Sequence, residues 1–397
     1  MRIGMILDTS FPPDYRVENE AHQLIKGGHE VYLFSLSKQI TKSNENVSGI
    51  KVFRYKKSAF MNKMSALAYT IPVYHWLVKP KIKHFLLNYH LDALHVHDMV
   101  IAKAVFDVNQ KFKKLPIVLD LHENRPAIME LYQHVNTFPG NLLISLKKWQ
   151  KVQGQLMKRA DRIILVTPEA KKVAIKDYNL NKDNIFVIPN SITPEIFCKF
   201  KIDDDIVNRF KNRFNLLYLG STAIRRGLDT AIQAVEILSK QIPEMQLVIV
   251  GDSSDDLLLK KMVKNSKLEN YIKFEGWQDY SLFPSYLQSA DICISPLKRN
   301  LHHDTTYANK LFQYMIMEKP LIVSDCPSQE NLVKRVGSGV SFTADNTSDL
   351  VEKILFLYNR PKLRSVMGKR GKKFVLNEFS WNNFKTDLME IYNSFHL

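Results

Sequence analysis

Residues 216–240 read LLYLGSTAIRRGLDTAIQAVEILSK. Leu216–Leu219 is a short apolar run of the kind that forms a buried strand, and Leu228–Lys240 carries apolar residues at helical spacing. Between them, Gly220-Ser221-Thr222-Ala223-Ile224-Arg225-Arg226-Gly227 makes a strand-to-helix turn. Its glycine allows close backbone approach, the helix start favours an anion, and the two arginines supply paired, charge-assisted donors. That combination suits a diphosphate. The spacing matches neither a Walker A loop nor a dinucleotide fingerprint, so a plain turn with solvated arginines stays open on these residues alone.

The stretch restarts, in mid-chain, a pattern that has already run once. In the first half, strands are expected at Ile3–Leu7, Val31–Leu36, Lys51–Tyr55, Ala93–His97, Ile117–Leu121, Arg162–Val166 and Ile185–Ile188. Helical spacing lies between them, as in Val17, Ala21, Leu24 and Ile25, or Ile101, Val105, Val108 and Phe112. After Leu216–Leu219 come Leu247–Val250, Ile272–Phe274, Ile292–Ser295, Leu321–Val323 and Val340–Phe342. Strands alternating with helices build parallel βαβ sheets, so two series predict an α/β protein of two Rossmann-like domains. The expected linker region is Lys199–Arg213, after Pro189-Asn190-Ser191 and Pro194. In such sheets ligands bind beyond the carboxyl ends of the strands, which directs attention to the residues just after each one.

Composition agrees with this reading. A chain of 397 residues, 45% hydrophobic, can bury two cores and is not a disordered protein. Cys198, Cys293 and Cys326 are odd in number and form no C-x-x-C pair, which argues against a disulfide framework or cysteine zinc site and favours a reducing compartment. The apolar start is cut short by Asp8 and reads as a strand rather than a signal peptide. The longest membrane-like stretch, Met64–Val78, contains Pro72 and His75 and falls short of the roughly 18–20 residues of a spanning helix. The expected location is therefore cytoplasmic, at most peripheral to a membrane.

The net charge is +16, and residues 1–200 hold 29 basic against 17 acidic residues. An excess concentrated in one half points to a polyanionic partner, with a merely solvated lysine-rich surface as an equal alternative. Within that half, Lys56, Lys57, Lys63, Lys79, Lys81 and Lys83 surround an apolar centre that includes Met61, Tyr69, Tyr74 and Trp76. Such a segment suits reversible attachment to an anionic membrane, unless its apolar residues simply pack on the sheet. A nucleic-acid partner would account for the charge but not for the ordered motifs, and none is expected.

No G-x-G-x-x-G follows the first strand, where the loop is Asp8 to Arg16, and this weighs against a nicotinamide-dependent enzyme. Near the other end, Tyr307-Ala308-Asn309-Lys310-Leu311-Phe312-Gln313-Tyr314-Met315 is followed by Glu318-Lys319-Pro320-Leu321-Ile322-Val323-Ser324-Asp325. With FPPDYRVENEAHQLIKGGHEV, LHVHD, DLHEN, IPNSI, YLGSTAIRRGLDTAI and FEGWQDYSLFPSYLQSADICISPL, these stretches resemble family 4 of the glycosyltransferases over essentially the whole chain. The resemblance implies a GT-B fold, two Rossmann-like domains with a cleft between them. It assigns residues 1–193 to the acceptor side, 194–380 to the nucleotide sugar, and 381–397 to a helix returning toward the first domain. It also implies a retaining, metal-independent transfer from a nucleoside-diphosphate sugar to a glycan or lipid-linked acceptor, with no cofactor.

The resemblance distributes roles to particular residues. Arg226, Lys310 and His122 are the expected catalytic set, the first two holding the diphosphate and His122 meeting the donor sugar. Donor contacts are expected from Gly220, Ser221, Arg225, Trp277, Gln278, Thr305, Asn309, Leu311 and Gln313, with free N–H groups at the Asn309–Leu311 helix start aimed at phosphate. For Trp277 a half-buried packing role is the equal alternative. Arg16, His97, Asp98 and Glu123 are expected on the acceptor side, His302 and His303 in a loop near the sugar. His95 is expected on the opposite sheet face as core, and no metal site is expected among these histidines. Asp203-Asp204-Asp205 and Asp255-Asp256 read as solvated helix-capping carboxylates.

Two departures from the family pattern stand out. Where many members carry an E-x7-E pair, this chain has Thr305 and Gln313, and where relatives often have arginine after the loop glycine it has Ser221. Glutamine keeps an acceptor for ribose but loses charge assistance, about 1 kcal/mol. These changes leave open a degenerate binding subunit. A sugar-nucleotide epimerase is the other alternative, and it lacks the carboxylate pair it would need.

Overall fold

The computed structural model describes residues 1–395. The chain divides into two compact units, Met1–Asn190 together with the segment from Phe384 onward, and Ser191–Asn383.

Unit 1 is built on β1 (Arg2–Leu7), β2 (Glu30–Ser37), β3 (Asn44–Val47), β4 (Ile50–Lys56), β5 (Ala93–His97), β6 (Ile117–Leu121), β7 (Arg162–Leu165) and β8 (Ile185–Val187). They form one sheet in the order β3-β4-β2-β1-β5-β6-β7-β8. All pairs are parallel except β3 with β4. Every residue of β5 and β6 is buried. Strands covered on both faces read as continuous apolar runs, which is why they were legible. β3 was not expected: its sequence Asn44-Glu45-Asn46-Val47 is polar and half-exposed, and it pairs at the sheet edge across the Ser48-Gly49 turn. The first helix, Tyr15–Lys26, starts where the Asp14 carboxylate accepts from Val17 N–H at 3.1 Å, and it buries Val17, Ala21 and Leu24. Burying a side chain such as Val17 or Leu24 contributes about 1.5–3 kcal/mol, and the Ala21 methyl less. From Phe384 onward the last helix, Trp381–Asn393, belongs to this unit, burying Leu388, Ile391 and Tyr392.

Unit 2 contains β9 (Phe214–Leu219), β10 (Met245–Val250), β11 (Ile272–Gly276), β12 (Ile292–Ser295), β13 (Leu321–Ser324) and β14 (Gly339–Phe342). The sheet is wholly parallel in the order β11-β10-β9-β12-β13-β14. Leu216 of β9 lies between Leu247 and Ile292 in register. The strand order reverses between β9 and β12, as it does between β1 and β5 in unit 1. At such points the crossovers leave in opposite directions, opening a crevice at the carboxyl ends of the strands.

The linker expected at Lys199–Arg213 lies inside unit 2 instead. Its acidic sequence hides an apolar pair one turn apart: Ile206 and Phe210 are buried on the helix Asp204–Phe210. Asp203 caps that helix, its carboxylate accepting from Asp205 and Ile206 N–H groups at 3.0 and 3.3 Å.

Candidate functional site

In unit 2 the loop after β9 is clasped tightly. Gly227 has φ 74°, and a Cβ there would lie 1.7 Å from Pro296 O. Gly251, at the end of β10, has φ 133°, and its Cβ would lie 2.1 Å from Gly220 O. No side chain fits at either place, so backbone meets backbone at the mouth of the β9/β12 crevice. Two residues read as solvated caps also fix this loop. Asp255 accepts from Ile224 N–H at 2.8 Å, while Asp256 accepts from the Thr222 hydroxyl and, at 3.2 Å, from Ser253 N–H. The sequence signal for them was available: two acids placed just after β10, on the ligand side of the sheet.

Arg226 ends a single 3₁₀ turn, Ile224–Arg226, and its Nε is buried without a hydrogen-bond partner among the described residues. Lys310, 8% exposed, likewise has an unpartnered Nζ, held 3.4 Å above the centre of the Tyr218 ring. The Tyr218 hydroxyl in turn donates to Ser221 O at 2.6 Å. Burial, with Arg226 adding, keeps the Lys310 pKa well below that of a free lysine. His302 and His303 sit on the short helix Leu301–Asp304 rather than in a loop, and burial lowers their pKa values to about 3 and about 4. Their neighbours Arg225 and Arg226 add to both shifts. His302 Nδ1 and His303 Nε2 have no hydrogen-bond partner among the described residues. Burial without counter-charge thus favours the neutral forms of Lys310, His302 and His303, and an anion bound beside them would favour the charged forms.

Other expected donor residues fare differently. Leu311 is fully buried, and its N–H donates to Ala308 O at 3.0 Å, so that group is not free for phosphate. The helix opens with a tight i→i+3 turn that uses it. Asn309 is the N-cap and makes no capping bond through its side chain. Thr305 donates to Leu301 O at 2.6 Å and is 2% exposed. Its short side chain closes its own turn instead of reaching outward. Gln313 lies one turn beyond Asn309 and is 7% exposed. Trp277 is 68% exposed, which removes the packing alternative, and Gln278 Nε2 donates to Glu275 O at 2.7 Å.

Unit 1 gathers a polar cluster at the carboxyl ends of β5 and β6. His122 Nε2 lies 2.9 Å from Asp120 Oδ2, and its Nδ1 lies 3.6 Å from Asp98. Asp98 Oδ1 also accepts from His122 N–H at 3.2 Å. Burial disfavours the charged ring, but Asp98 and then Asp120 outweigh it and raise the His122 pKa to about 9. Asp120 remains well below the carboxylate range: burial opposes ionisation, and Arg16 followed by His122 overcomes it. Arg16 binds Asp120 at 2.7 Å and Glu20 at 3.0 Å, and donates to Ile188 O at 2.9 Å. Arg16, expected on the acceptor side, is thus buried as a brace within unit 1.

His97 is fully buried, 3.2 Å from Asp120 and 3.1 Å from His122, while Glu123 pairs with Arg125 at 2.9 Å. His95 corrects the expectation of an opposite face. Its ring stacks on His97 with centroids 4.5 Å apart, because residues two apart in a strand share a face. Its Nδ1 meets the Tyr392 hydroxyl at 2.7 Å. Glu20 and Asp120 were not singled out from sequence. The signals were an acid four residues after Arg16 on the first helix and an acid inside the apolar run Ile117–Leu121. Ligand atoms of Glu20, His95, His97 and Asp120 lie within 4.8 Å of one another, a spacing a metal ion could use. The Arg16 guanidinium already supplies the cation between the two carboxylates, so the set does not fit a metal.

The family description "Glycosyltransferase Family 4" matches residues 15–196, and "Glycosyl transferases group 1" matches residues 199–374. An uncharacterized glycosyltransferase of Methanocaldococcus jannaschii is 23% identical over 62% of this chain, and the chain spans 61% of that relative's length. The alpha-monoglucosyldiacylglycerol synthase of Acholeplasma laidlawii is 21% identical over 94% of this chain and 92% of its own. Among solved structures, Anabaena HepE, crystallised with UDP, superposes with a TM-score of 0.73 at 14% identity, covering 99% of this chain and 100% of its own.

Proposed function

Because the chain belongs to the group 1 and family 4 glycosyltransferases, with their GT-B pair of Rossmann-like units, we propose that it transfers a sugar from a nucleoside-diphosphate sugar with retention of anomeric configuration. The acceptor is a glycan or a lipid-linked molecule, in surface polysaccharide or glycoconjugate synthesis, and the enzyme works peripherally at a membrane. The observation that carries this reading is a pair of buried basic nitrogens at the crevice of unit 2, Arg226 Nε and Lys310 Nζ, that lack a hydrogen-bond partner among the described residues. A diphosphate supplies the missing acceptors. As the bond from the anomeric carbon to the diphosphate oxygen breaks, negative charge grows on that oxygen, and the fixed cations stabilise it there more than in the ground state. Donor uptake returns Lys310 to its charged form, since an adjacent anion favours the ammonium.

The acceptor oxygen bonds to the same face of the sugar, and its proton passes to the departing diphosphate. His122, fixed as an imidazolium by two carboxylates, serves the acceptor unit by orienting sugar hydroxyls. Trp277 offers an exposed ring for the nucleobase. One observation favours a second reading, a non-catalytic binding subunit: Thr305 is turned inward and cannot hold a sugar hydroxyl. A panel of UDP-, GDP- and other nucleotide sugars separates the two. Stabilisation on heating by one donor, with hydrolysis or transfer of its sugar, supports the transferase. Stabilisation without turnover supports the binding subunit, and neither response to any donor removes both.

A further inference from the structure

The apolar centre of residues 56–83 has two fates in unit 1. Met61, Tyr69 and Tyr74 are buried in the core, whereas Ile71 and Trp76 remain on the surface, Trp76 63% exposed. A second segment, not singled out from sequence, presents Phe138 at 81%, Leu142 at 77% and Leu143 at 39% exposure. The two segments are joined where Ser145 N–H donates to Thr70 Oγ1 at 3.2 Å and the Tyr69 ring meets Trp149 edge-on. Ile71 directly follows one partner of that hydrogen bond, and Leu143 lies two residues before the other. Exposed aromatic and leucine side chains on two segments joined in this way mark an interaction surface.

Within the two segments themselves the charge has one sign, with the exposed Glu130 at the border of the second. No aspartate or glutamate occurs from Asn46 to Leu91 or from Leu131 to Ala160. Lys63, Lys147, Lys148 and Lys151 are exposed. Other lysines of the first segment are committed elsewhere: Lys57 donates to Asp8 O at 2.7 Å, and Lys79 pairs with Asp107 at 2.8 Å. A rim of free lysines around exposed Trp, Phe and Leu complements an anionic bilayer, where the ammonium groups meet headgroups and the rings enter the boundary beneath them. A protein partner would favour an interface depleted in lysine. No helix among the described residues is long and apolar enough to cross a membrane.

We propose that unit 1 docks on anionic lipid through this two-segment surface, with Trp76, Phe138 and Leu142 as the inserted side chains. The docking deepens the proposed transfer to a lipid-linked acceptor, although the surface itself stands without it. The test is sedimentation of the full chain with vesicles of phosphatidylcholine alone and of phosphatidylcholine with phosphatidylglycerol in equal parts. Binding is expected only to the mixed vesicles and should weaken as salt is raised. Trp76→Ser with Phe138→Ser and Leu142→Ser, all at exposed positions, should lower partitioning on the order of tenfold or more. Lys147→Glu with Lys148→Glu should lower it independently. Equal binding to neutral vesicles, no binding at low salt, or undiminished binding by both variants overturns the proposal. So does a concentration-dependent dimer abolished by the same serine substitutions, since the surface would then serve a second copy. Donor hydrolysis measured without lipid reports separately on the transferase reading.

Discussion

At the residue scale, Arg226 and Arg225 stand side by side in sequence but not in circumstance. Each has a buried nitrogen without a hydrogen-bond partner among the described residues, Nε of Arg226 and Nη1 of Arg225, but Arg225 has further interactions as well, and Arg226 directly precedes Gly227. Arg226→Ala is therefore expected to weaken UDP or GDP binding by about 1.5–3 kcal/mol, roughly ten- to a hundredfold, and Arg225→Ala by less. Calorimetry with the free diphosphates measures both, and unchanged affinity for Arg226→Ala removes the diphosphate assignment. His122 is the other informative side chain, its charge set by the carboxylates on either side. Asp98→Asn keeps the oxygen that accepts from His122 N–H but removes the charge, so the imidazole should titrate well below its present value of about 9. Ring-proton NMR follows this directly. His122→Ala should fold normally and lose most transfer activity, which an assay at matched melting temperature would distinguish from a structural loss.

At the element scale, the loop after β9 is organised from the next strand. Asp255 and Asp256 hold Ile224 N–H and the Thr222 hydroxyl, so the loop reaches its ligand already ordered. Preorganisation of this kind lowers the entropy lost on binding. Asp256→Ala should raise the dissociation constant of a nucleoside diphosphate roughly tenfold without touching the ligand. A variant that merely lowers the melting temperature, with affinity intact, would show that the contact stabilises unit 2 and does no more. The helix Lys310–Ile316 shows the opposite lesson: with seven residues and its second N–H, that of Leu311, spent on Ala308 O, its start offers less to an anion than its sequence suggests. Its contribution comes from the Lys310 side chain.

At the scale of the whole molecule, the unit 1 cluster links stability to pH. The folded pKa of His122, about 9, lies above its ordinary 6.5, so its contribution is fully present below about 6.5 and is lost as pH rises through about 9. Glu20, raised chiefly by burial, acts in the same direction. Urea unfolding should show a midpoint that falls over this window, and His122→Ala should flatten it. A midpoint that climbs would mean that the cluster does not hold its charge as described. Two α/β sheets and thirteen of their fourteen described strands were legible because buried parallel strands are largely apolar runs, and such runs need no partner to be recognised. The loop after β9 and Lys310 were singled out for a related reason: residues at a strand end are contiguous in sequence. Edge strand β3 was not, because its polar residues depend on β4 to become a strand. Nor was the brace of Arg16, Glu20 and Asp120 under His122, drawn from a helix and a strand a hundred residues apart, where burial alone decides which charges must pair. That Ile71, Trp76, Phe138 and Leu142 stay exposed likewise belongs to tertiary structure. Sequence reports which side chains are apolar, whereas only packing decides which of them the core has no room to cover.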